Sequence, residues 1–211
     1  MQFTKLLRRG VSRLRRTRLE LDTLYTVFRD VRRGGYCGGR TRSAFADHGA
    51  CDVMSSEYSA LDEIFSRSTT RIKPTDVLVD VGCGKGRVIN YWLDCGLQNR
   101  IVGVEADSGI ALRTQARLKD DPQVEIRVGD IRTLFPTHGS LFYVYNSFSR
   151  AVMTDFKQLI EDSCKAPIIR LVYYNCYHAD LFSNSDCWRL MDSFVIGDLN
   201  VAVFEYGVVR P

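Results

Sequence analysis

The sequence predicts an α/β domain on a mainly parallel sheet, closed by a C-terminal antiparallel hairpin and preceded by a helical extension. Three observations carry this. Short apolar, β-branched runs alternate with helical patterns between residues 77 and 173, and such alternation requires right-handed crossovers and parallel pairing. Two further runs, Cys187 to Ile196 and Asn200 to Tyr206, flank Gly197-Asp198 and read as a hairpin. Ahead of the domain, Phe3, Leu6, Leu7, Val11 and Leu14, then Leu21, Leu24, Tyr25, Phe28 and Val31, recur at helical spacing and stop at the Gly34-Gly35 breaker.

In chain order, residues 1–33 form a basic amphipathic extension of one or two helices. Residues 34–73 form a lead-in. It is irregular and rich in Gly, Ser, Thr and Asp to about residue 56, then helical from Tyr58 to Phe65. Pro74 opens the domain proper, residues 74–211. Val77 to Asp80 is the first strand, and a helix runs from about Arg87 to Cys95. Ile101 to Glu105 is the second strand, followed by a helix over about 107–119. Val124 to Val128 is the third and Leu141 to Tyr145 the fourth. A helix of about 149–163 then leads to Pro167–Tyr173, the fifth.

At 211 residues the chain suits one such domain plus an extension. The formal net charge of +4 is unevenly spread. Lys5, Arg8, Arg9, Arg13, Arg15, Arg16 and Arg18 stand against Glu20 alone in the first twenty residues, and the remainder is slightly acidic. No apolar run approaches the roughly 20 residues of a membrane span, and no secretory signal is visible. The seven cysteines are scattered and none is paired at C-x-x-C spacing, so neither a zinc site nor a disulfide framework is indicated. They read as reduced thiols of a cytoplasmic protein.

The chemistry concentrates in Val77-Leu-Val-Asp80-Val-Gly82-Cys83-Gly84-Lys85-Gly86-Arg87. A buried strand ends in an acid, and three glycines at every second position lead into a helix. Glycines allow a sharp turn and a close approach of ligand to backbone. The helix N-terminus adds N–H groups and a partial positive charge. A dinucleotide-binding loop would need a third glycine where Arg87 stands, and a phosphate-binding Walker loop lacks its upstream glycine. What remains is D-x-G-x-G-x-G. This resembles the first motif of the class I S-adenosylmethionine (SAM) methyltransferases. VDVGCGKGR, VEAD, VGD and YNSF together look like small bacterial members of that class, distantly related to the non-SET histone lysine methyltransferases. The resemblance covers about residues 75–206. It implies a Rossmann-like seven-stranded sheet and transfer of the SAM methyl group to a nitrogen or oxygen acceptor by in-line displacement.

Expected cofactor contacts are Asp80, Gly82, Cys83, Gly84 and Gly86 in the first motif. Asp80 is assigned to the cofactor's amino end or to capping loop amides. Cys83 needs only to be small. Glu105, with Ala106, follows the second strand, where a carboxylate can accept both ribose hydroxyls; otherwise it is a solvated acid favoured by the helix dipole. By resemblance Asp130 binds the adenine amino group and Ile131 offers an amide and an apolar contact; otherwise Asp130 is a surface-turn acid. Asn146 and Phe148 follow the fourth strand, where the class orients its acceptor, although the proline usual in that loop is absent. Asn146 reads equally as a helix cap. His178, beyond the fifth strand, is a candidate general base, or one of a group that merely covers the sheet edge. His48 and His138 have weaker claims. No metal cluster is visible. Other readings are a non-catalytic module of the same fold and a nicotinamide-dependent oxidoreductase. Residues 1–18 fit an anionic membrane surface, nucleic acid, a targeting presequence, or a helix packed on the domain by its apolar stripe. The membrane surface is the preferred partner, and peripheral attachment is the matching location.

Overall fold

The computed structural model describes residues 22–39, 54–145 and 148–207. The expected helix through Phe3 to Leu14 lies outside the described residues. Helix α1 spans 22–32 of the described chain, and α2 is Tyr58–Phe65. A 3-10 turn over Ser68–Thr70 leads toward β1, Leu78–Val81. Then come α3 (Arg87–Asp94), β2 (Ile101–Glu105), α4 (Ser108–Arg117), β3 (Val124–Val128) and β4 (Leu141–Tyr145). The chain ends with α5 (Arg150–Ser163), β5 (Ile168–Tyr174), the short α6 (Asp180–Ser183), β6 (Trp188–Ile196) and β7 (Leu199–Gly207).

The seven strands are ordered β3-β2-β1-β4-β5-β7-β6. The first five pair in parallel and the last two antiparallel. This is the Rossmann-like sheet with closing hairpin that the sequence predicts. The order reverses between β1 and β4, so the carboxyl ends of β1, β2 and β4 surround the switch point where open α/β sheets hold ligands. Gly197, at φ 58°, makes the hairpin turn.

Strand alternation divides the core in two. One layer joins Leu78, Tyr143, Val172 and Tyr174 to α2, α3 and α4. The other joins Val79, Val81, Phe142 and Leu171 to α5 and α6. Gly103 of β2 lies opposite Asp80 in register, and a Cβ there would meet Cys83 Sγ, Ile89 Cδ1 and Ile126 Cδ1 at 2.8–2.9 Å. Only glycine lets the first loop and α3 settle on β2.

The amino end of the sheet is pinned by polar side chains. Asp76 pairs with Arg170 of β5 and accepts from Ser140 Oγ and the Lys73 amide, while Asn99 donates to the Asp76 carbonyl. Among the described residues, no helix is long and apolar enough to cross a membrane.

Helix α1 is seated unlike its sequence pattern. Its charged side faces the domain. Asp30 is fully buried and accepts from Arg87 Nη2 at 2.7 Å, Tyr58 Oη at 2.9 Å and the Cys37 amide at 3.0 Å. Arg29 stacks over Tyr58 at 3.9 Å, and Arg29, Arg32 and Arg33 all pair with Asp94 of α3. The apolar stripe points outward: Leu24, Tyr25, Phe28 and Val31 are 55–66% exposed. The expectation of an apolar stripe packed on the domain was made for residues 1–18, which are outside the described residues. Its continuation in α1 runs the other way, because a buried ion pair with two further hydrogen-bond donors orders the polar face.

Removing one partner of a buried ion pair strands the other charge. Asp30→Ala is expected to lower unfolding free energy by about 3–5 kcal/mol in urea titration. Arg32→Ala, at an exposed pair, should change it by no more than about 1 kcal/mol.

Candidate active site

The first loop turns on three left-handed glycines: Gly82 at φ 72°, Gly84 at 52° and Gly86 at 77°. Its amides are largely engaged. Gly82 and Cys83 N–H donate to the Val104 carbonyl, and Gly86 N–H donates to the Cys83 carbonyl. From α4, Thr114 Oγ1 donates to the Gly84 carbonyl at 2.8 Å and Arg117 Nη2 to the Lys85 carbonyl at 2.7 Å. Lys85 Nζ reaches back to the Gly38 carbonyl. The Cys83 side chain is buried in the core layer beside Gly103, so any cofactor contact from this residue comes from its backbone.

Asp80 is buried at 3% exposure, and its Oδ2 has no hydrogen-bond partner among the described residues. Burial, with the nearby Glu105 charge, pushes its carboxyl up to about 8. It lies opposite Tyr143 in the β1–β4 register.

Glu105 does not stand out into solvent. Its Oε2 accepts the Gly84 amide and its Oε1 the Asp107 amide, both at 2.8 Å. Burial raises its pKa, and these two amides act against that. Each carboxylate oxygen has two acceptor positions, so both can still take a hydroxyl. Ala106, half-buried, separates Glu105 from Asp107, the α4 N-cap that accepts from Ile110 N–H.

Asp130 follows β3 at the same edge. Its carboxylate is held by Arg132 through Nε, Nη2 and the backbone amide, which lowers its pKa. An adenine amino group there would have to share or displace Arg132. The Ile131 side chain is buried in the second core layer. Asn146 lies outside the described residues. The N-cap of α5 is Ser149. The Phe148 ring packs on Phe156 at 6.0 Å between centroids, against the second core layer. His178, half-buried, lies in the turn between Asn175 and α6; its carbonyl accepts from Leu181 N–H.

Thus the chain hydrogen-bonds Glu105 to the glycine loop, buries Asp80 close enough to feel the Glu105 charge, and sets Asp130 at the next strand end. No described contact links Phe148 or His178 to them. A cavity of about 500 Å³ lies elsewhere, between α1 and the 54–59 segment, lined by Thr26, Tyr36, Met54, Glu57 and Arg87 among others. It does not include Asp80, Glu105 or Asp130.

Sequence reading missed three groups. Ser56 Oγ and Tyr143 Oη lie 2.6 Å apart, and Tyr145, at the end of β4, stacks at 4.7 Å on Tyr174, which the sequence places with the aromatic group after the fifth strand. Arg117 is the loop's strut. The tyrosines' period-two spacing in β4 was a usable signal; nothing local marked Ser56 or Arg117. Among the described residues, no His, Cys, Asp and Glu cluster could hold a metal ion.

Residues 78–165 match the family model described as a methyltransferase domain. Among solved structures, an RNA methyltransferase from Salinibacter ruber, in complex with S-adenosyl-L-homocysteine, shares the fold. Its TM-score is 0.52 at 18% identity, covering 75% of this chain and 97% of that one. The mitomycin 7-O-methyltransferase matches at TM-score 0.55 and 15% identity, covering 71% and 55%. An rRNA methylase from Escherichia coli matches at 0.50 and 14%, covering 71% and 62%. A search of curated proteins found no match. Residues 78–165 thus match a methyltransferase domain, and the sheet around them has the Rossmann-like fold of the S-adenosylmethionine methyltransferases named above.

Asp80's raised pKa has a signed consequence. The unfolded carboxyl ionises near 4 and the folded one near 8, so between these values the folded state binds more protons. Its contribution to stability therefore falls as pH rises from about 4 to about 8. Without ligand, Asp80→Asn should match wild type near pH 4 and exceed it by several kcal/mol at pH 8, at about 1.4 kcal/mol per pKa unit. Urea midpoints at the two pH values measure this; a constant difference would refute it.

Proposed function

We propose that the chain transfers a methyl group from SAM to a nitrogen or oxygen nucleophile by in-line displacement, in the cytoplasm. The observation that carries the site assignment is the buried Asp80 carboxylate, whose Oδ2 has no partner among the described residues, beside three left-handed glycines. A buried acid lacking a partner suits a cationic ligand group, and the amino group of SAM is one. Once bound, the cofactor supplies a methyl group already activated by its sulfonium.

The residues then divide the work. Asp80 holds the ammonium end and keeps its charge only when that cation is present. The glycine loop, braced by Thr114 and Arg117, admits the ligand against its backbone. Glu105 takes the ribose hydroxyls with its remaining acceptor positions. Asp130 and the Ile131 amide take the adenine, with Arg132 moving or sharing. Asn146 orients the acceptor. Phe148, fixed by Phe156, supports that loop from beneath, and His178 serves as base if the acceptor is a hydroxyl. Holding the reactants in line is the main catalytic contribution asked of the protein.

The acceptor remains open to both chemistries. The neighbours named above act on RNA and on a mitomycin oxygen, so the shared fold does not select one. The relation to non-SET histone lysine methyltransferases rests on the VDVGCGKGR, VEAD, VGD and YNSF motifs and belongs to this proposal. The cytoplasmic location rests on scattered thiols, six of them free in the described chain.

Calorimetry should find one SAM bound per chain, and Gly84→Val should abolish binding, because a β-branched residue resists the left-handed backbone at that position. A folded wild type that ignores SAM, or binds NAD more tightly, would overturn the proposal.

Glu105→Ala should weaken SAM by about 1–3 kcal/mol, the usual cost of leaving buried polar groups unpaired. It should also lower thermal stability, since the Gly84 and Asp107 amides lose their acceptor. An unchanged dissociation constant would remove the ribose role.

A further inference from the structure

We infer that the outer face of α1 is a docking surface for an anionic lipid bilayer. This inference is independent of the cofactor assignment. Leu24, Tyr25, Phe28 and Val31 are 66%, 55%, 64% and 59% exposed, on one side of a helix whose opposite side carries the buried Asp30. A surface helix ordinarily turns its apolar stripe to the core. Here the seating is fixed in the reverse sense by Asp30–Arg87, Tyr58 and the Asp94 cluster, so the apolar face is held outward rather than left there by loose packing.

Three occupants are conceivable, and charge separates them. A second copy would bring two strongly basic segments together, since residues 1–20 carry seven basic side chains against Glu20. Like charges at that density oppose self-association. Nucleic acid would answer the charge and could stack bases on Tyr25 and Phe28, but it offers no apolar phase to Leu24 and Val31. An anionic bilayer answers both. Lysine and arginine meet the headgroups, while Leu, Phe and Val enter the acyl boundary and Tyr25 sits at the interface. Phe3, Leu6, Leu7, Val11, Leu14 and Leu21 continue the same apolar spacing in sequence.

The placement also ties this surface to the glycine loop. Arg87, which grips Asp30, is the first residue of α3, directly after Gly86. A bilayer under α1 would therefore lie one helix from the cofactor edge.

The test is flotation of the full-length protein with vesicles of phosphatidylcholine containing phosphatidylserine, and with phosphatidylcholine alone. Binding is expected only to the anionic vesicles and should weaken as salt is raised. The triple variant Leu24→Ser, Phe28→Ser, Val31→Ser should reduce the bound fraction by about tenfold, because apolar burial contributes beyond charge. Its melting temperature should hold, since these side chains are exposed. Should that variant misfold, Arg13→Glu with Arg16→Glu provides the second measurement, with the same expected loss. Equal flotation of wild type and both variants would overturn the inference. So would light scattering that shows a wild-type dimer and a monomeric triple variant, or stripe-dependent binding to an oligonucleotide.

Discussion

Glu105 reaches back from the end of β2 to accept the amides of Gly84 and Asp107, and the ligand edge depends on this contact. It ties the glycine loop after β1 to the start of α4, across two neighbouring parallel strands. Thr114 and Arg117 grip the same loop from its other side through the Gly84 and Lys85 carbonyls. Three left-handed glycines in five residues would otherwise leave a loop with large conformational freedom. Fixing it in advance reduces the ordering cost when a ligand arrives.

The two ends of the sheet treat buried acids in opposite ways. At the amino end Asp76 is satisfied by Arg170, Ser140 and the Lys73 amide. At the carboxyl end Asp80 has an oxygen with no partner among the described residues, and burial beside Glu105 holds its carboxyl in the protonated range well above the usual carboxylate value. A stability-driven arrangement would satisfy both. An unsatisfied buried carboxyl persists where a ligand supplies the missing charge, and perturbed acids of this kind gather at functional sites.

The N-terminal helix shows a third arrangement of polar groups. The Asp30 cluster uses Arg87, Tyr58 and the Cys37 amide to lock α1 onto α3 and the lead-in. Burial raises the Cys37 thiol to about 11, and Cys37 also donates to the Lys85 carbonyl. Among the described residues, the extension is therefore connected to the glycine loop through polar contacts.

By itself the sequence determined the strands, their mainly parallel pairing, the closing hairpin and the glycine loop. Each is written in local period, in β-branched runs, or in glycines, the residue that takes positive φ at least cost. The strand-end acids Asp80, Glu105 and Asp130 were legible for the same reason, because parallel strands deliver their carboxyl ends to one edge. What only the tertiary structure decided concerns direction and partnership. Helical periodicity reports that α1 has an apolar stripe, but not which way it faces; that was settled by Asp30 meeting Arg87, 57 residues away in sequence. Likewise, nothing adjacent to Asp130 in an alternating pattern states that Arg132 will fold over it, or that Phe148 will turn onto Phe156. Such pairings depend on through-space geometry between side chains, and a one-dimensional pattern carries no information about it.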